Sequence, residues 1–362
     1  MSNCKQCLIP GIVPGADLDA QGVCAFCRAV DEESYSKAEL ARASYEIELE
    51  RALEDCRGKG EYDALVCLSG GKDSIYLLHR LVTEYGLKVL AFTTDMNIPD
   101  IAWDNMRRTV EALDVEHLVS RPPRAFYRKM FAYLLRNQNE KGAVGTVCYA
   151  CAPLFESDAL RVAVEKNIPL ILAGYAPGQP EPERMVFEFA PAMIRESDWT
   201  PPVLRQSGLF EPRELARYWN PFAYPEGTAF PRFLAPFHAW EYDQEQTMRL
   251  VVELGLVSSR KNASPVHSNC PINWLLMYSD LKNLGYNPYA PEFAALIRNG
   301  KARRSTWRLM QPLVNFMIRR KILLGRQVSE SLDWLELEPE ELRITRKAEA
   351  PVAPERLTVA AE

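Results

Sequence analysis

The sequence predicts an α/β protein built on a doubly wound parallel sheet, with an N-terminal four-cysteine module and a C-terminal helical region. Two observations carry that class. From Tyr62 to Tyr175 short apolar runs alternate with stretches of helical period, and the first run feeds a glycine turn that opens a helix. Ahead of them, Cys4, Cys7, Cys24 and Cys27 stand in the spacing C-x2-C-x16-C-x2-C. The chain has 362 residues, long for one core, so two or three domains are expected. A net charge of -5 argues against wholesale coating of nucleic acid. No apolar run reaches the ~20 residues that cross a bilayer, and MSNCKQC is not a signal peptide, so a cytoplasmic protein without membrane association is expected. There its nine cysteines serve better as metal ligands or thiols than as disulfides.

Taken in order, residues 1–32 form the cysteine module, with turn residues between the ligands. Residues 33–60 form a linking helix that Ser36 is placed to cap. Residues 61–175 form the α/β domain. Its strands are ALVCLS, KVLAFTT, EHLVS and IPLILAG; its helices are SIYLLHRLVTEYG, WDNMRRTVEALD, RAFYRKMFAYLLRNQ and PLFESDALRVAVEKN. Residues 176–236 hold eleven prolines and little periodicity, and read as an irregular insertion or lid. Residues 237–345 are helical and suit a substrate region; residues 346–362 read as a disordered tail. Between Phe293 and Ser329 lie nine Lys and Arg and no acid, a surplus that suits either a phosphate-bearing partner or a solvated helix face.

The turn Ser69-Gly70-Gly71-Lys72-Asp73-Ser74 is a ready anion site. Two glycines let the backbone approach a phosphate, and the helix that follows aims its amides and dipole at it. Lys72 adds a mobile cation, and Ser69 and Ser74 add hydroxyls. The spacing excludes a Walker A loop. A plain glycine turn accounts for the glycines, but not for the whole hexad.

The four N-terminal cysteines suit a closed, structural Zn²⁺ site; reduced thiols are the alternative. Cys56 and Cys67 fall within a helix and a strand, as small buried hydrophobes. Cys148 and Cys151, expected in a loop before a helix, and Cys270, at a helix start, supply the three thiolates of a [4Fe-4S] cluster with one open iron. A second zinc site, a redox pair or packed thiols remain open. His267 stands near Cys270 in the chain, as a surface residue or a neighbour of that site.

SGGKDS after a strand resembles the PP-loop of the ATP pyrophosphatase superfamily, whose domain is HUP-like. The resemblance implies that ATP, with Mg²⁺, adenylates a carbonyl or amide oxygen, pyrophosphate leaves, and a nucleophile displaces AMP. It implies nucleotide contacts from Ser69, Gly70, Gly71, Lys72, Asp73 and Ser74, with Lys72, Asp73 and Ser74 in the chemistry. Asp95, at the end of the second strand, and Gly174, after the fourth, join them; Asp95 also reads as a simple turn acid. A wider resemblance, over residues 4 to about 305, is to the N-acetyl sugar amidotransferases. It rests on CxxCxxPxxxPG…GVCxFC, SGGKDS, the central CxxC, IPLILAG, HAWEYD, the late NC and LIRNGKARR. It implies conversion of an acetamido to an acetamidino group on a nucleotide-linked sugar, with ammonia from a glutaminase and synthase pair. The chain departs from that pattern at AGYAPGQPEPERM and in its Pro-rich insertion. The alternatives are a PP-loop sulfurtransferase that thiolates a tRNA base or small molecule through a cluster on Cys148, Cys151 and Cys270, and a non-catalytic binding module.

Overall fold

The computed structural model describes residues 2–30, 32–177, 185–264 and 269–347, with backbone alone for 32–36. His267, most of the tail and part of the AGYAPGQPEPERM segment lie outside them. The N-terminal module carries a single turn of helix, α1 (Ala25–Arg28), and leads into the long α2 (Glu32–Asp55). The α/β region then runs β1 (Ala64–Cys67), α3 (Lys72–Thr83), β2 (Val89–Thr94), α4 (Asp100–Leu113), β3 (His117–Ser120) and α5 (Arg124–Arg136). A two-residue strand β4 (Gln138–Asn139), α6 (Gly142–Glu165) and β5 (Leu170–Ala173) complete it.

Three short helices follow, α7 (Pro191–Glu196), α8 (Pro202–Gln206) and α9 (Pro212–Leu215), and then β6 (Arg232–Leu234). The C-terminal part is α10 (Gln244–Glu253), α11 (Asn273–Asn283), α12 (Ala290–Arg298), α13 (Arg304–Arg320), α14 (Arg326–Leu335) and β7 (Ile344–Arg346).

The main sheet has the order β3-β2-β1-β5-β6, and every pairing in it is parallel. Its central strands are buried on both faces, in keeping with their mainly apolar runs. Strand alternation divides them: Ala64 and Val66 join α2, α3 and α10 on one face, while Leu65 and Ile171 join α6 and the insertion on the other. The chain leaves β1 toward β2 and β3, then returns to β5 on the opposite side, so the order reverses between β1 and β5. At such a reversal the loops at the carboxyl edge part and leave a crevice. The cysteine module rests on α12, with Ala294 and Ile297 packed into its apolar centre. No helix among the described residues is long and apolar enough to cross a membrane.

Several expectations are corrected. Helix α2 begins at Glu32, so Ser36 lies inside it rather than at its cap. Cys148 and Cys151 are not in a loop: α6 begins at Gly142 and carries both, with Pro153 inside the helix. The stretch read as an irregular insertion or lid supplies β6 and buries Phe189, Trp199, Trp219 and Phe233 against the sheet. Strands β4 and β7 pair in parallel, which ties residues 344–346 to the fold.

Candidate functional site

The glycine turn sits at the crevice. Gly70 adopts φ +76, and a Cβ there would stand 2.4 Å from the Ala102 carbonyl oxygen, so only glycine fits. Helix α3 begins at Lys72 with no side-chain cap, which leaves its first amides facing the loop. The Ser74 hydroxyl knits the turn: it donates to the Gly71 carbonyl (3.0 Å), accepts the Ser69 amide (3.2 Å) and meets the Ser69 hydroxyl (3.1 Å). Gly174 lets β5 close on the loop, since a Cβ there would lie 2.8 Å from the Ser74 nitrogen.

Two cavities flank this loop. The first, about 320 Å³, opens at the ends of β1, β2 and β5 and is walled by Leu68, Phe92, Phe155, Ala173 and Phe233, with Ser69, Ser74 and Thr94 among its polar groups. The second, about 400 Å³, lies between the loop and α11–α13, with Asn105, Asn273, Asn287, Gln311 and Glu292 among its lining. Phe293 and Trp307 stack there with centroids 3.7 Å apart. Gly71, Asp73, Tyr175 and Asn269 face both.

Lys72 and Asp73 are buried where the cavities meet. The Lys72 ammonium donates to Asp73 Oδ2 at 2.7 Å, and the Tyr242 hydroxyl donates to Oδ1 at 2.8 Å. Burial and the Asp73 charge push the Tyr242 phenol far above its ordinary range, so it remains a donor. Glu292 is pushed up to about 7 by burial, against the pull of the Lys72 cation and with the push of the Asp73 charge. A single loop carboxylate at a glycine turn is a donor set that Mg²⁺ could share with substrate phosphates, since it binds through one or two carboxylates.

Asp95 lies at the end of β2, but its carboxylate accepts the Asn97 and Ile98 amides at 3.0 and 3.1 Å and pairs with Arg121 at 3.3 Å. Its neighbours Thr94 and Met96 line the first cavity, and Asp95 does not. Its carboxylate therefore serves the turn. Cys67 lines the same cavity. Burial drives its thiol upward, so it stays neutral.

The other three cysteines straddle the wall between the cavities. Cys148 opens onto the second, Cys270 onto the first, and Cys151 is buried with its sulfur 4.0 Å from that of Met96. Shielding by the surrounding protein pushes the Cys148 thiol up to about 12, with the Cys270 charge adding to it. Burial drives Cys151 higher still, helped by the charges of Cys270 and Cys148. Burial also raises Cys270, to about 11, while the amides of Ile272 and Asn273 hold it back. Each pair thus lies within electrostatic reach. Yet among the described residues only the N-terminal quartet closes to within 4.8 Å. The trio is therefore not drawn together as a ready single-ion site in this structure.

The quartet does fit one ion. Cys4 and Cys27 sulfurs are 3.8 Å apart and those of Cys7 and Cys24 3.5 Å, close to the ~3.8 Å edge of a tetrahedron with Zn–S bonds of ~2.3 Å. Burial opposes ionisation of Cys4, but the amides of Cys7, Cys24 and Gln6 outweigh it and bring the thiol down to about 6, while burial leads in raising Cys7 and Cys27, so one thiol ionises ahead of its neighbours.

Sequence reasoning missed Asn105, whose amide holds the Gly70 carbonyl (3.1 Å), and Asn269, which bonds the Ser69 hydroxyl (3.1 Å). It also missed Tyr242. Asn269 and Tyr242 lie within the late NC and HAWEYD, but no local spacing ties them to a loop some 170–200 residues earlier.

No protein-family model and no curated protein matches this sequence. Similar solved structures include the U34-tRNA thiolase NcsA from Methanococcus maripaludis with its [4Fe-4S] cluster. It has 14% identity and a TM-score of 0.35 over 93% of this chain and 90% of that one. An NMN synthetase from Francisella tularensis has 12% identity and a TM-score of 0.35 over 86% of this chain and 98% of its own. An NH3-dependent NAD synthetase from Campylobacter jejuni has 13% identity and a TM-score of 0.35 over 82% and 96%. Likeness at this level assigns no activity; the loop, cavities and cysteines must.

Proposed function

We propose that the protein adenylates a carbonyl or amide oxygen of an acceptor with ATP, releases pyrophosphate, and then transfers a nucleophile with loss of AMP. The observation that carries this reading is the buried Lys72–Asp73 step of a glycine loop standing between two cavities. The first cavity, apolar at its walls, takes the adenosine; the amides of the turn and Lys72 take the phosphates. The second then holds the acceptor, and its oxygen attacks the α-phosphorus. A new P–O bond forms, the bond to the bridging oxygen breaks, and the charge on the departing pyrophosphate falls to Lys72 and the loop amides. Mg²⁺, held by Asp73 and phosphate oxygens, would neutralise part of that charge.

The incoming group we propose is nitrogen, in the manner of the N-acetyl sugar amidotransferases, with a nucleotide-linked sugar as acceptor and ammonia from a glutaminase and synthase partner. The amide-rich lining of the second cavity supports a neutral, hydrogen-bonding acceptor group. A second reading, sulfur transfer to a tRNA base or small molecule, is favoured by the cysteine trio. There Cys148, Cys151 and Cys270 would hold a [4Fe-4S] cluster, which supplies an open iron able to carry sulfide. The test is pyrophosphate and AMP release with ATP, Mg²⁺, an ammonium salt and a panel of nucleotide-linked N-acetyl sugars. Release that depends on sugar and ammonium supports nitrogen transfer. A brown protein on anaerobic purification, inert in that assay but active with sulfide and tRNA, overturns it in favour of sulfur.

A further inference from the structure

The Lys72–Asp73 pair has a feature that neither the loop motif nor the reaction explains. Successive residues on a helix point about 100° apart and do not normally face each other. Here residues 72 and 73 begin α3, and their side chains nevertheless meet at 2.7 Å. One donor of the Lys72 ammonium is thus spent on Asp73, and the side chain is only 6% exposed. For Lys72 to serve a phosphate it must leave that carboxylate, which is itself buried and stands beside Glu292 in the second cavity. When Lys72 leaves, Oδ2 is free for Mg²⁺, and a buried carboxylate that changes cations needs one partner that stays.

That partner is in place. The Tyr242 hydroxyl holds the other oxygen, Oδ1, at 2.8 Å, so the two donors do not compete for one lone pair. Tyr242 is itself anchored from both sides. Its ring packs against Phe237 with centroids 5.3 Å apart, and the next residue, Asp243, caps α10 by accepting the Gln246 amide at 2.9 Å. The donor therefore arrives on a fixed piece of backbone.

We propose that Tyr242 is a positioning residue: it holds Asp73 in place while Lys72 exchanges that carboxylate for the phosphates of ATP. The proposal rests on the reading of the loop as an ATP site, and it adds a group from outside that loop. It makes Mg·ATP affinity depend on a phenol that need not touch the nucleotide.

The test is calorimetric binding of Mg·ATP, without acceptor, to the wild type, Tyr242→Phe, Asp73→Asn and the double variant. Tyr242→Phe keeps the ring against Phe237, and its thermal unfolding is recorded alongside. Loss of one hydrogen bond to a charged group should weaken binding about tenfold. Because Tyr242 acts through Asp73, the double variant should bind no worse than Asp73→Asn alone. Wild-type affinity in Tyr242→Phe overturns the proposal, and so do losses that simply add in the double variant, which mark a structural contact. If Tyr242→Phe unfolds, Asp73→Asn alone and Asp73→Asn/Tyr242→Phe are compared, since neither leaves a buried charge without its donor, and a further loss of affinity in the double variant overturns the proposal. A wild type that binds no ATP overturns the reading of the loop itself, and this proposal with it.

Discussion

Gly174→Ala adds one methyl at the tightest seam of the site. Gly174 is not among the glycines with positive φ, so alanine can adopt its backbone without left-handed strain. The cost comes from space alone. The added Cβ would stand 2.8 Å from the Ser74 nitrogen, 3.0 Å from its Cα and 3.1 Å from the Asp73 carbonyl carbon, all backbone atoms that no rotamer change can move. Ordinary contact begins at 3.4 Å, so the start of α3 must retreat by roughly 0.6 Å from β5. Overpacking of that kind costs about 1–3 kcal/mol of stability. The functional loss should be larger in proportion, because the displaced atoms are the amides proposed to bind the phosphates, and a 1 Å misplacement can cost ~10²-fold. Mg·ATP affinity and pyrophosphate release should both fall about tenfold or more, with the fold retained. Titration calorimetry and a pyrophosphate assay check this, with differential scanning calorimetry for stability. An affinity within twofold of wild type would refute the claim that β5 and the loop form one phosphate site.

Lys72→Ala should cut pyrophosphate release by roughly 10²-fold or more, with the protein still folded; unchanged release removes the loop from the chemistry. Cys24→Ser should lose one tightly held Zn²⁺ per chain and melt at lower temperature, and metal analysis showing equal zinc in both proteins contradicts the ribbon. Burial pulls His238 from its ordinary 6.5 down to about 4, so the neutral ring contributes stability that is full above pH 6.5 and is lost as pH falls toward 4. The melting temperature of His238→Gln should therefore fall less steeply than that of the wild type across that window; parallel curves refute the assignment.

What the sequence discloses is what local physics decides. Strands β1, β2, β3 and β5 announce themselves as short, mainly apolar runs, and the glycine turn is legible from its own hexad. Strand β6 is three residues between Pro231 and Pro236, a segment whose extended form is fixed by its register on β5 rather than by its own pattern. The cysteine pair is misplaced for a related reason. Pro153 suggests a helix start, since proline is welcome in a first turn. The true start is eleven residues earlier, where the Asp280 carboxylate of α11 accepts the amides of Ala143 and Val144. A cap delivered from 137 residues away leaves no local trace. Tyr242 and Asn269 were illegible on the same ground.

In the proposed reaction the loop presents the α-phosphorus, not the γ, to the second cavity. A crystal structure with Mg²⁺ and an ATP analogue non-hydrolysable between the α- and β-phosphates tests it without knowledge of the acceptor. The account predicts adenosine in the cavity walled by Phe92 and Phe233, β- and γ-phosphates on the amides from Gly70 to Ser74 with Lys72 turned onto them, and the α-phosphate facing Asn273 and Glu292. A γ-phosphate directed into that second cavity, or phosphates bound away from the loop, would contradict it.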